Sequence, residues 1–148
     1  MLETSEVPTL VHGPVANEVV DILRELGLHT KVVEDKALFR EAQYVKTMWA
    51  STMWLLCHAK GGCTIGDLDD NDVKDLVEEL YSVLDLRRYD YSDILDQFYA
   101  YNDVMPKVTP SFELAMKEID DRNMIFLKDG KGNQIKHRHL LREVGLEV

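Results

Sequence analysis

Lys36-Ala37-Leu38-Phe39-Arg40-Glu41-Ala42-Gln43-Tyr44-Val45-Lys46-Thr47-Met48-Trp49-Ala50-Ser51-Thr52-Met53-Trp54-Leu55-Leu56-Cys57-His58-Ala59-Lys60 contains neither Gly nor Pro, and Gly61-Gly62 stops it. Such a run is a long helix. Val45, Trp49, Thr52, Leu56 and Ala59 form its apolar stripe, while Tyr44, Met48, Trp54 and Leu55 add apolar surface on other sides. The run therefore predicts a central helix buried nearly all round, the spine of a helical domain, with Trp49 and Leu56 in its core. Upstream, Leu10-Val11-His12-Gly13-Pro14 predicts a short strand and turn. Val15, Val19, Ile22, Leu23 and Leu26 then recur at helical spacing as the apolar face of a helix ending at Gly27, and Lys31-Val32-Val33-Glu34 predicts a second strand.

Downstream, Asp72 or a neighbouring Asp/Asn is placed to cap a helix carrying Val73, Leu76, Val77, Leu80, Val83 and Leu84, with an acidic outer face. Ser92 is placed to cap a helix through Ile94, Leu95, Phe98 and Tyr99 that Pro106 ends, and Thr109-Pro110 opens another. That helix is expected to bury Phe112, Leu114 or Ala115, Met116 and Ile119. A glycine-rich turn at 128–133 precedes a last short helix around Leu140, Leu141 and Val144. The fold class is mainly α with minor strand.

Length and charge bound the function. The 148 residues, 45% of them hydrophobic, suffice for one core. The longest apolar run, Met53 to Cys57, is far too short to span a bilayer. A net charge of -10 argues against a nucleic-acid partner, which needs a basic surface. Two cysteines, Cys57 and Cys63, are too few for a disulfide framework and point to a reducing, intracellular compartment. Met1 to Glu6 has the plan of neither a secretory signal nor a transit peptide.

The chemistry-bearing residues each have a structural reading. Asp67, Asp69, Asn71 and Glu78 fall at positions one, three, five and twelve of an EF-hand loop, but the sixth position is Asp72 where Gly is needed, and 73–80 is helical. These acids are expected to cap and solvate helix starts. Cys57, His58 and Cys63 match no zinc spacing, so no metal site is expected. His137-Arg138-His139 with Lys128, Lys131 and Lys136 makes one local basic patch, open to a phosphate or an acidic partner, although a solvated surface is the simpler reading. No phosphate-cradling glycine motif and no nucleophile elbow occurs. Lys46 is the only cation between Ala42 and Cys57. It either snorkels from a helix edge, which spacing favours, or stands in a cleft as an acid or hydrogen-bond donor.

Taken together, Leu10-Val11-His12-Gly13-Pro14, Val45-Lys46-Thr47-Met48-Trp49, Gly61-Gly62-Cys63-Thr64-Ile65-Gly66-Asp67, Arg122-Asn123 and His139-Leu140-Leu141-Arg142-Glu143 occur in an order that resembles ketopantoate reductase-like proteins, particularly their divergent plant and algal branch. The resemblance implies the helical C-terminal domain of the 6-phosphogluconate dehydrogenase/ketopantoate reductase type over residues 36–148. Residues 1–35 would then be a strand-helix-strand remnant of the dinucleotide-binding domain. It aligns Lys46 with the lysine that polarises or protonates the keto oxygen, a vestigial or conditional catalytic role here, and makes Ser111 and Asn123 candidate substrate-binding residues. Ala50 and Trp54 stand where the family carries asparagines, and the Thr-Glu pair is replaced near Arg122-Asn123-Met124. No cofactor is expected, and NADPH would enter only with a Rossmann domain supplied by another chain, because the nicotinamide carries the hydride. The resemblance also leaves a plastid or other organelle open beside the cytoplasm.

Two functions follow as expectations. One is a non-catalytic interaction module, an accessory subunit of a larger assembly or a homo-oligomer, with a protein partner. The other is the substrate half of an NADPH-dependent 2-keto acid reductase whose Rossmann half is elsewhere. Residues 9–14 and 31–34, as strand edges, are expected either to pair with each other or, preferentially, to lie against a partner.

Overall fold

Asp35 starts the central helix: its carboxylate accepts hydrogen bonds from the N–H groups of Ala37 (2.8 Å) and Leu38 (3.3 Å), and those two bonds hold its pKa below the ordinary carboxylate value. The computed structural model describes residues 7–148, so the reading of Met1 to Glu6 lies outside the described residues. In chain order the elements are β1 (Thr9–Val11), α1 (Ala16–Glu25), β2 (Thr30–Val32), α2 (Lys36–Ala59), a single 3-10 turn (Ile65–Asp67), α3 (Asp70–Val83), α4 (Tyr91–Val104), α5 (Phe112–Lys117), α6 (Asn123–Asp129) and α7 (Ile135–Glu143). The described chain is mainly helical, with one small parallel sheet. None of its helices is long and apolar enough to cross a membrane.

The second half of α2 is buried without interruption from Ser51 to Cys57, because α3, α5 and α7 pack around it. The first half is different. There Val45 and Met48 are buried, but Trp49 is only half-buried, its indole N–H donating to Asn102 Oδ1 at 2.9 Å. The expectation that Trp49 anchors the core is therefore corrected. Trp54, fully buried, has that place, and Leu56 is buried as expected. Leu76, Val77, Leu80, Ile94, Phe98, Phe126 and Leu141 complete the core around it.

Not every cap follows the sequence expectation. α3 is capped by Asp69, one of the acids neighbouring Asp72, which accepts from Asn71 N–H at 2.8 Å as the sequence allowed. α4 begins before Ser92, with Asp90 at its N-cap. Ser111, not Thr109, caps α5, which buries Ala115 but leaves Phe112 and Leu114 exposed. The carboxylate of Glu79 on α3 receives the N–H groups of Lys136 (3.0 Å) and His137 (2.7 Å), so a side chain from another helix closes the start of α7.

β1 and β2 pair with each other in parallel, Leu10 opposite Lys31, with α1 as the crossover between them. Mutual pairing is the first of the two arrangements expected for these strands. His12 ties the unit to the helices: its Nδ1–H donates to the Val33 carbonyl at 2.7 Å and its ring stacks on Phe39 of α2 at 5.2 Å.

Candidate functional site

Strand alternation puts Leu10, Lys31 and Val33 on one face of the small sheet. All three line a cleft of about 650 Å³ between the β1–α1–β2 unit and the helices. From α2 come Leu38, Phe39, Ala42, Gln43 and Lys46, one turn apart along a single side, and from the segment leading into α4 come Arg88 and Tyr89. Gln97 and Tyr101 of α4 close the far wall. The tyrosines are hydrophobic walls at any ordinary pH, because burial pushes the phenols of Tyr89 and Tyr101 up. Arg88 is committed within the protein, its Nε 3.1 Å from Asp35 and its Nη1 3.4 Å from Glu41. Glu41 also accepts the backbone N–H groups of Arg87 (3.0 Å) and Arg88 (2.8 Å), which fixes the loop over the cleft.

Of the three residues singled out by resemblance, only Lys46 lies in this cleft. It is exposed and also borders a second hollow of about 330 Å³ with Thr47, Ala50, Glu118, Asp121 and Arg122. Ser111 lines neither; its Oγ accepts from Leu114 N–H at 3.1 Å as a helix cap. Asn123 is fully buried and spoken for. Its Oδ1 accepts from Trp54 Nε1 at 2.6 Å, and its Nδ2 approaches the Ser51 carbonyl at 3.4 Å and donates to His137 Nε2 at 2.9 Å. The three residues thus converge on no common point. Lys31 was not marked out by the sequence, where it opens the Lys31-Val32-Val33-Glu34 run with a charge at either end.

The Asn123 amide belongs to a buried polar chain. His137 Nδ1–H donates to Gln134 Oε1 at 2.8 Å, and Gln134 Nε2 donates to the Phe126 carbonyl at 2.5 Å. Every link has a partner, so the chain stabilises the packing of α2, α6 and α7 instead of presenting a reactive group. Burial, and secondarily the charge of Arg138, lowers the His137 pKa to about 4.

The remaining constellations disperse. His137 is buried, Lys136 pairs with Asp72 (3.6 Å) and Asp75 (3.1 Å), and Lys128 lies 3.7 Å from Asp120, so these three groups of the local basic patch are engaged within the protein. Asp67 forms a capping box with Thr64, and Asp72 pairs with Lys60 at 2.5 Å. Burial, with the adjacent Cys63, pushes the Cys57 thiol up to about 12, and His58 Nε2–H donates to the Pro110 carbonyl at 2.7 Å. Among the described residues no group of three or more His, Cys, Asp or Glu could hold a metal ion.

A second surface stands out on α1. Ala16 and Val20 are its buried positions, but Val15, Ile22 and Leu26 are 54%, 58% and 72% exposed, with Val19 and Leu23 half-buried between them. This is the apolar face that helical spacing marked out, and among the described residues Val15, Ile22 and Leu26 of it are left uncovered.

No protein-family model, no curated protein and no solved structure matches the chain.

Proposed function

We propose that this chain is a non-catalytic helical interaction module of ketopantoate reductase-like descent, an accessory subunit that docks on a protein partner through its β1–α1–β2 unit. The uncovered apolar stripe of α1 carries the reading. Parallel strands are normally covered on both faces and joined to further strands, and a two-stranded sheet is marginal by itself. A partner that covers Val15, Ile22 and Leu26 supplies what the unit lacks. Burying those three side chains would contribute about 1.5–3 kcal/mol each at most, less the cost of association.

The engagement of Asn123 and Ser111 in the protein's own hydrogen bonds speaks against the alternative, the substrate half of a reductase. The position of Lys46 in the large cleft is the observation that favours it. Native purification of the chain, with and without I22E/L26E, separates the two. A stoichiometric companion lost in the variant, with unchanged circular dichroism, supports the docking module. A companion that binds NADPH moves the reductase reading forward, and a monomeric wild-type chain with no companion refutes both.

A further inference from the structure

Independently of any docking partner, we propose that Cys57 and Cys63 are a redox-active pair that closes to an intramolecular disulfide by exchange with a small-molecule disulfide. They are the chain's two cysteines and both are free thiols, so neither has another intramolecular partner. The end of α2 brings them together. Lys60 is its C-cap, and Gly61 and Gly62 follow with φ of 85° and 90°, in the left-handed region that glycine enters without strain. The N–H of Gly62 turns back onto the Cys57 carbonyl (2.8 Å) and that of Gly61 onto the His58 carbonyl (3.0 Å), the two bonds of a Schellman turn. Cys63 comes next, and its own N–H also donates to the Cys57 carbonyl, at 3.2 Å. Standard bond lengths then hold the two Cα atoms within about 7 Å, the reach of a disulfide. The segment is held from its other side as well, because the N–H groups of Ile65 and Gly66 donate to the carbonyls of Val108 (2.9 Å) and Pro106 (2.8 Å).

The two thiols differ in access, and that sets the order of events. Cys63 is half-buried, whereas Cys57 is fully buried. A disulfide RSSR arriving from solvent therefore meets Cys63. The Cys63 thiolate attacks one of its sulfurs, the S–S bond breaks, and RS⁻ leaves with the electron pair and takes up a proton. Cys57 then gives its proton to water, its thiolate attacks the Cys63 sulfur, and the mixed disulfide breaks to release the second RS⁻. In sum the dithiol is oxidised, RSSR is reduced to two RSH, and the two hydrogens pass from protein to reagent. Burial, and after it the neighbouring Cys63, pushes the Cys57 thiol up to about 12, which closes it to outside reagents and shows that the Cys63 sulfur is near enough to act on it directly. Closure would pin the last turn of α2 to the segment anchored on 106–108. In a reducing compartment the pair stays open, and a rise in the disulfide fraction of the small-thiol pool closes it.

The full chain, incubated with oxidised glutathione near pH 8 and digested without reduction, should yield a peptide pair joined through Cys57 and Cys63. The intact protein should be lighter by two hydrogen atoms and carry no glutathione, and dithiothreitol should restore its starting mass. C57S should stop at glutathione bound to Cys63, and C63S should stay unmodified while folded. The closed form should melt about 3–6 °C above the open form, because the crosslink removes freedom from the unfolded chain. Glutathione retained on wild-type Cys63 without a crosslink, a disulfide that forms only between chains or only in urea, or a lower melting temperature after closure would each overturn the proposal. None of these outcomes touches the docking reading, which I22E/L26E tests separately.

Discussion

His137 gives the protein a specific sensitivity to mild acid. Its ring is 0% exposed, with Nδ1–H donating to Gln134 and Nε2 accepting from Asn123. Asn123 cannot turn its amide to receive a proton, because its Oδ1 is held by Trp54. Burial, and secondarily the charge of Arg138, disfavours a second ring proton, so the folded-state pKa falls from 6.5 to about 4. The unfolded chain therefore binds the proton more readily, and stability rises with pH across this interval. The contribution is complete above pH 6.5 and is lost progressively towards pH 4. From the two pKa values, the loss amounts to about 2 kcal/mol at pH 5 and about 3 kcal/mol at pH 4. The carboxylates held below their ordinary value, Asp35, Asp67, Asp72 and Asp85, contribute stability that is lost only lower, as pH falls below about 4. Urea denaturation at pH 7 and pH 5 should therefore isolate the histidine. With a slope of about 2 kcal/mol/M, the wild-type midpoint should fall by about 1 M. H137Q should be less stable at pH 7, by about 1–3 kcal/mol for the disturbed chain of bonds, yet nearly flat between the two pH values. Equal losses in wild type and variant over this interval would refute the assignment.

Other consequences are equally direct. W54A removes a fully buried indole and strands the Asn123 carbonyl, so it should cost about 3–5 kcal/mol, whereas W49A, at a half-buried site, should cost about 1–2 kcal/mol; chemical denaturation that reverses this order would contradict the packing of α2. A methyl group at Gly130 would collide with the Phe126 carbonyl and lie 2.8 Å from both Gln134 Nε2 and Val83 Cγ2, so G130A should lower stability by about 1–3 kcal/mol, read as a drop in melting temperature. The pure chain should show no saturable NADPH binding in a fluorescence titration, since its described sheet has two strands and its sequence no dinucleotide fingerprint; micromolar binding would reverse that expectation.

Much of the helical order is local information. The uninterrupted run from Lys36 to Lys60, the stop at Gly61-Gly62 and the spacing of Val73, Leu76, Val77 and Leu80 are properties of neighbouring residues, and α2 and α3 follow from them. The strand, helix and strand at 9–32 were legible for the same reason. Which tryptophan enters the core was not, because Trp49 and Trp54 are equally apolar and only the crowding of α3, α5 and α7 around the second half of α2 distinguishes them. Nor could spacing show that the stripe of α1 faces outward, since periodicity identifies an apolar face without naming what covers it.

The site divides along the same line. Sequence alone marked Lys46 as an isolated cation on a long helix, a judgement that needs only the helical period and the charges nearby. Tertiary structure decided that Lys31, fifteen residues before Lys46 and on a strand, lines the same cleft, and that Ser111 and Asn123 spend their polar groups on a helix cap and a buried network. A hydrogen-bonding side chain has the same chemistry wherever it stands in the chain. Whether it is free to meet a ligand depends on which donors and acceptors the fold brings within about 3 Å of it.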